Sequence, residues 1–308
     1  MRRGVWIEGA GIAGQVLHRE LGRRGIPSKL VDRSAFPRDK VCGGLLQADS
    51  WAYLNQLFLI QSPRVLIPAI SHFWQKTLLA RALFPEPAVY VSRLDLDGEL
   101  YGQRGDTGEG DAGWMRVNAA GISGHRFDAS RKEPLWLGFH GKTEAVRDLE
   151  MHYGRGIYLG RCPDGTGESH AGFIVRKELF SSSAALAAFV EKELGVRFLA
   201  PLKGAGPIRY GSSGAPLAVG DAKLTLHPFL GLGMKHAIES ARLLADCIEK
   251  ENTGEYDRLH RRRFARMKFA SGFAAALYDS PARFLFLPVL KFPPLFIAGY
   301  HWVHRTGR

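Results

Sequence analysis

The chain has 308 residues, 45% hydrophobic and 23% charged, a balance that excludes disorder as its main state and suits one large globular domain or two interleaved ones. Its net charge of +12 favours anionic membranes, acidic carrier proteins or phosphate-bearing ligands as partners; basicity alone does not point to nucleic acid, and none is expected. The excess is uneven: from Glu255 onward ten basic residues stand against three acidic ones, so more than half of the net charge belongs to the C-terminal sixth.

In chain order, Val5 to Glu8 reads as a buried strand, Ile12 to Arg24 as a helix, and Ser28 to Asp32 as a second strand ending in an acid, with Gly25-Ile26-Pro27 as the stop between them. Glu8 is a charge at the end of a buried strand that this pattern does not explain. A helix is predicted from Ala48 to about Phe58, and the proline-punctuated stretch through Pro87 takes no assignment. Tyr101 to Gly113 reads as a surface loop and Trp114 to Ala119 as a short strand. Pro134 to Phe139, Asp148 to Tyr153, Gly156 to Gly160 and Ala171 to Val175 read as strands of an antiparallel sheet, with Lys142 to Val146 a further short element. Ser182 to Leu194 is a helix, Pro216 to Val219 a short apolar strand, and Lys235 to Lys250 and Glu255 to Leu277 are helices. An α/β half, a β-rich insert and a helical tail follow.

The cysteines, Cys42, Cys162 and Cys247, are odd in number and far apart, with no metal-ligand spacing. A cytoplasmic protein without a metal site is expected. Only Met-Arg-Arg-Gly precedes the first strand, which argues against a signal peptide. The apolar stretch Phe284 to Val303 holds Pro288, Lys291, Pro293 and Pro294, a poor membrane-spanning helix but one that would suit a peripheral position at the inner face of the membrane.

Gly9-Ala10-Gly11-Ile12-Ala13-Gly14 satisfies G-x-G-x-x-G, follows a strand and opens a helix, and Asp32, with Arg33 beside it, ends the next strand. Such a turn lets the backbone approach a pyrophosphate at a helix N-terminus, while the acid accepts from a ribose diol. The motif does not separate NAD from FAD. More than two hundred residues later, Leu217-Ala218-Val219-Gly220-Asp221-Ala222 and His227-Pro228-Phe229-Leu230-Gly231-Leu232-Gly233-Met234 form a strand, an acid and a glycine-rich helix start. Taken alone, Asp221 suits an ordinary turn or N-cap.

This second constellation resembles the second FAD fingerprint of the p-hydroxybenzoate-hydroxylase-like flavoproteins. Phe36-Pro37-Arg38-Asp39-Lys40-Val41-Cys42-Gly43-Gly44 is similar to a run of the geranylgeranyl-reductase-like branch of that fold. Ser92-Arg93 with Leu96-Asp97, Gly156-Ile157-Tyr158-Leu159-Gly160, and the ending with Pro293-Pro294 and Thr306-Gly307 resemble it too. The resemblance implies an α/β fold: a Rossmann-type FAD-binding domain of the glutathione-reductase type (residues 1–60, 92–125 and 205–250), an antiparallel β-sheet substrate domain (61–91 and 126–204) and a C-terminal helical region (251–308).

It also implies FAD as cofactor. The first fingerprint and Asp32 would hold its adenosine diphosphate end, Asp221 the ribityl chain, and Gly220, Pro228, Gly231, Leu232, Gly233 and Met234 the flavin's pyrimidine edge, where a helix N-terminus stabilises negative charge. Arg38 and Arg93 would face the cofactor, and Cys42-Gly43-Gly44 would lie near the ring. Cys42 is then a candidate proton donor, with a small packing thiol as the alternative, and His227 is a second candidate acid or a structural histidine. NAD(P)H or a donor protein would supply electrons.

Departures from the family matter equally. Asn118-Ala119-Ala120-Gly121 stands where aromatic hydroxylases of this fold carry an Asp-Gly motif, and the Gly-x-Trp-x-Ile-Pro sequence of halogenases is absent, which argues against halogenation. Only 22 residues separate Asp97 from Ala120, where relatives fit a helix and a β-meander. The branch's substrates imply an apolar small molecule, with Phe284, Phe286, Leu287, Val289, Leu290, Phe292, Leu295, Phe296 and Trp302 as walls of a tunnel, as a bilayer contact, or as a cap on the core. Arg261 to Arg263 and Lys268 would meet anionic headgroups or a diphosphate, or form a solvated face. Reduction of a prenyl-type C=C bond is the preferred reading; a flavin-dependent monooxygenase on an aromatic or polyketide substrate, and a non-catalytic flavin- or partner-binding module, are the alternatives.

Overall fold

The structure, a computed structural model, describes residues 4–103, 113–124, 135–280 and 292–304. In chain order its elements begin with β1 (Val5–Glu8), α1 (Ile12–Arg23), β2 (Ser28–Val31), β3 (Leu45–Leu46), α2 (Ala48–Phe58), β4 (Arg64–Trp74), β5 (Thr77–Val91), α3 (Arg93–Gly102) and β6 (Met115–Asn118). There follow β7 (Trp136–Thr143), β8 (Leu149–Gly154), β9 (Ile157–Pro163), β10 (Ser169–Arg176), α4 (Ser183–Leu194), β11 (Lys203–Ile208), β12 (Gly211–Ser212), β13 (Leu224–Thr225), α5 (Gly233–Glu249), α6 (Tyr256–Asp279) and α7 (Pro293–His304).

β2, β1 and β6 form a parallel sheet in that order. β1 buries Val5 and Ile7 completely, and α1 lays Val16, Leu17 and Leu21 into the same core, which α5 shares through Ala241, Leu244 and Ala245. The expected strand at Pro216 to Val219 is a single parallel bridge, Ala218 to Asn118, reinforced by the Val219 N–H donating to the Asn118 carbonyl at 3.0 Å. Glu8 finds its explanation at the surface, where it accepts from Arg116 of the neighbouring strand at 2.8 Å. α3 ends at Gly102, so the first residues of the expected loop, Tyr101 and Gly102, are helical; residues 104–112 lie outside the described ones.

The second sheet has eight strands in the order β11-β7-β10-β9-β8-β4-β5-β3. It is antiparallel except between β4 and β8. The stretch that resisted assignment is the long β4–β5 hairpin. Its register slips between Ile67 and Ala69, opposite Leu83 and Ala88, so Pro68, Pro85 and Pro87 fall where the ladder is interrupted, because proline has no N–H to donate to it. No separate element occupies Lys142 to Val146; β7 runs on to Thr143. β11 pairs with β7 and bulges at Pro207, which places residues 205–208 in this sheet rather than with the 205–250 segment expected beside the nucleotide. α4 covers one face of the sheet over Leu159, Phe173 and Val175. The other face meets α6 and the turn before α5.

Candidate cofactor site

The first fingerprint forms a tight turn. Gly9 has φ +112°, and a Cβ there would strike the backbone of Ala119; one on Gly14 would strike the Gly9 carbonyl. Gly11, the N-cap of α1, has no side-chain cap, so the positive end of the helix is left to a ligand. Ala10 and Ser34 donate their backbone N–H groups to the two Asp32 oxygens at 2.7 and 2.8 Å. Burial alone would raise the Asp32 pKa, but these bonds and the Arg38 charge hold it below the ordinary range. Asp32 therefore fixes the turn itself, with lone pairs left to accept from a ribose.

Arg38 closes the mouth of this turn. Its guanidinium lies 3.6 Å from Asp32 and 4.9 Å from the Phe36 ring centroid, and Phe36 stacks on Tyr101 at 4.1 Å. Its Nη2 is 3.5 Å from where a Gly11 Cβ would be. Its Nε is buried without a partner. A cation with one unpartnered donor, beside an uncapped helix start, fits a diphosphate, so the residues present fit the adenosine diphosphate end of FAD.

The Cys42-Gly43-Gly44 segment threads between β5 and β10. A Cβ on Gly44 (φ +69°) would meet Tyr90 and the Val91 carbonyl at 2.7 Å, and one on Gly172 would meet the Gly43 nitrogen at 2.8 Å. His170 Nε2 donates to the Cys42 carbonyl at 2.8 Å. Arg93 grips Asp97 bidentately at 2.8 and 2.7 Å and has the Cys42 side chain as an electrostatic neighbour. Burial opposes its charge, yet the Asp97 carboxylate keeps its pKa above the usual arginine value. Arg93 is thus clamped to Asp97 close to Cys42; its charge is balanced within the protein.

The second fingerprint docks onto the first. Gly220 has φ +59°, and a Cβ there would lie 2.9 Å from the Cβ of Ala13. Its N–H donates to Ser240 Oγ at 2.9 Å. Asp221 stands half-buried beside it. Pro228 to Leu230 form one 3-10 turn, Gly231 reverses the chain at φ +61°, and α5 begins at Gly233 without a side-chain cap. Gln47, the N-cap of α2, donates to the Gly231 carbonyl at 2.8 Å. The side chains of Leu232 and Met234 are buried in the core, so they would offer a ligand only backbone.

Against this turn the sheet presents aromatic rings that the site assignment from sequence missed. The Tyr158 hydroxyl approaches the Pro228 and Phe229 carbonyls at 3.4 and 3.2 Å, and the Tyr158 ring meets Phe229 edge-on at 4.4 Å. Tyr153 and Tyr278 complete the cluster. The available signal was Tyr158 within Gly156-Ile157-Tyr158-Leu159-Gly160; Tyr278, near the end of a helix, carried none. His227 stacks on Phe229 at 4.2 Å and lies 4.4 Å from Tyr210. Burial lowers its pKa to about 3, which favours the neutral imidazole at neutral pH, and its Nδ1 is buried without a partner. Of the expected tunnel walls, Phe292, Leu295 and Trp302 are exposed. Residues 284–290, the Phe296 side chain, and Thr306-Gly307 lie outside the described ones.

No protein-family model matches the chain, and no curated protein matches it. Solved structures do. A geranylgeranyl bacteriochlorophyll reductase-like protein from Thermoplasma acidophilum aligns with a TM-score of 0.72 at 14% identity, covering 98% of this chain and 95% of that one. The flavin-dependent brominase Bmp2 aligns at 0.71 and 14%, covering 97% and 94%. PqsL of P. aeruginosa, solved with 2-aminobenzoylacetate, aligns at 0.67 and 16%, covering 97% and 99%. At these identities the likeness shows the fold: a Rossmann-type nucleotide-binding domain with a large sheet and C-terminal helices.

Proposed function

We propose that the protein is an FAD-dependent oxidoreductase that reduces a C=C bond in an apolar, prenyl-like substrate. The observation that carries the cofactor is the meeting of Gly220 with Ala13, which brings two glycine-rich helix starts to one place. The turn of residues 9–14 and Arg38 would hold the diphosphate, Asp32 the ribose, Asp221 the ribityl chain, and the start of α5 the pyrimidine edge. When bound and first reduced by its electron donor, the flavin would supply a hydride to one carbon of the double bond.

The chain's own residues would handle the proton. The Cys42 thiol, close to Arg93, is the donor in this reading. Asp97 keeps the Arg93 charge balanced, so that clamp does not depend on a ligand. Tyr153, Tyr158, Phe229 and Tyr278 would exclude water and favour an apolar substrate. Reducing equivalents would come from NAD(P)H or an electron-transfer protein.

The test is the visible spectrum of the purified protein, followed anaerobically with NADPH and then dithionite, and on readmitting air. Flavin bands that bleach, recover slowly in air and recover quickly with a prenyl-lipid alkene support the reading, and Cys42→Ser should slow only the alkene-dependent recovery. Rapid recovery in air coupled to hydroxylation of an aromatic substrate would favour the monooxygenase reading. Protein that takes up no FAD would indicate a non-catalytic module.

A further inference from the structure

α6 carries two different faces. Inward, Phe264, Met267, Ser271, Ala274 and Tyr278 are buried, and the Tyr278 hydroxyl donates to the Gly154 and Ile157 carbonyls. Outward, Arg258, Arg262, Arg266, Phe269 and Phe273 recur every three or four residues and are all exposed, which sets them in one stripe. Phe269 and Phe273 are 63% and 57% exposed and stack at 5.8 Å. Trp302 of α7, 45% exposed, meets Phe269 edge-on at 6.5 Å, and the Arg266 guanidinium lies 5.9 Å from its ring centroid. Among the described residues, Arg258 pairs with Glu255, while Arg261, Arg262, Arg266 and Lys268 have no carboxylate partner.

We propose that this stripe docks the protein on an anionic lipid bilayer. Exposed phenylalanines and an interfacial tryptophan at the C-terminal end of the stripe suit the boundary between headgroups and acyl chains, and with α6 inclined to the surface the cations at its N-terminal end would meet phosphate in the plane above. The charge is of one sign along more than two helical turns, which complements a surface anionic in one plane and apolar beneath it. No helix among the described residues is long and apolar enough to cross a membrane, so the attachment is peripheral. The proposal does not rest on the flavin reading. It adds that the helix closing the aromatic core from inside would lie on the lipid from outside.

The experiment is co-sedimentation of the full chain with phosphatidylcholine vesicles with and without phosphatidylglycerol. Binding should need the anionic lipid and fall by about tenfold or more in high salt. Phe269→Ser/Phe273→Ser and Arg258→Gln/Arg262→Gln/Arg266→Gln should each weaken it at least about tenfold, with thermal midpoints near that of the unchanged protein. Should a variant fail to fold, brominated lipid should quench tryptophan fluorescence in the unchanged protein and markedly less in Trp302→Phe. No binding to anionic vesicles, or binding that neither variant nor Trp302→Phe alters, overturns the proposal. So would sedimentation equilibrium showing a dimer that the phenylalanine variant dissolves, since the stripe would then be a self-interface.

Discussion

Gly220 leaves no room for a side chain against Ala13: a Cβ on it would lie 2.9 Å from the alanine's own, although 206 residues separate them in the chain. The two glycine-rich segments are thereby locked to one geometry. Gly220→Val adds both a clash and a strained left-handed conformation, together costing about 2–4 kcal/mol. Its thermal midpoint should fall by several degrees, and flavin titration should show FAD affinity reduced more than by Gly254→Ala, a change at an open surface position.

Arg38→Ala separates binding from folding. The guanidinium's contacts within the protein are a 3.6 Å ion pair with Asp32 and the face of Phe36, each worth about 1 kcal/mol or less, so its loss should lower the denaturation midpoint only modestly. A charge-assisted contact to a diphosphate is worth about 1.5–3 kcal/mol, so FAD affinity should drop by roughly tenfold to a hundredfold in a fluorescence-quenching titration. Arg38→Lys should recover only part of it, because an ammonium lacks the planar fork.

Asp97→Asn should do the reverse. It leaves the buried Arg93 without its counter-charge, a defect of about 3–5 kcal/mol that urea unfolding would register directly. The double variant Arg93→Met/Asp97→Leu should regain much of that stability. It should not regain the positioning of Cys42, which would appear as altered rates of thiol labelling.

The reading of the sequence succeeded where local signals and tertiary demands agree. The β1–α1–β2 start, α2, α4, α5 and α6 all follow from hydrophobic period, stops and caps, and Ser182 does cap α4 by accepting from Ala185. It was silent on β4 and β5, because Pro68, Pro85 and Pro87 disguise strands whose irregularities they occupy. At the site, Gly9, Gly14 and Gly220 were legible because their backbone conformations or contacts exclude other residues. Arg93 was legible only as a charge near the cofactor; its pairing with Asp97 is an i,i+4 contact within α3, while its approach to Cys42 depends on that helix and a loop meeting in space. His227 was legible only in part for a related reason: imidazole chemistry is written in the residue, and the burial that lowers its pKa is not.

Acid should unfold the protein before its carboxylates titrate. Burial depresses the pKa of His227 and His260 to about 3 and of His72 to about 4. Each is neutral in the fold and charges near pH 6.5 once unfolded. Their contribution is complete above that value and is lost as pH falls toward the folded pKa. At pH 5 each such histidine costs about 2 kcal/mol. Guanidinium midpoints should therefore drop clearly between pH 7.5 and pH 5. A flat profile over that interval would contradict the burial of these rings.

The single bridge between Asn118 and Ala218 has a bearing on synthesis. The nucleotide-binding sheet starts with the first strand but receives its last backbone partner only after about a hundred further residues, among them five strands of the other sheet, have left the ribosome. Long-range pairing of this kind is slow, since the entropy of closing the loop is lost before the contact forms. A nascent chain reaching only to β6 would expose the apolar flank that Val219 and α5 later cover, and would depend on chaperones until the second glycine-rich turn arrived.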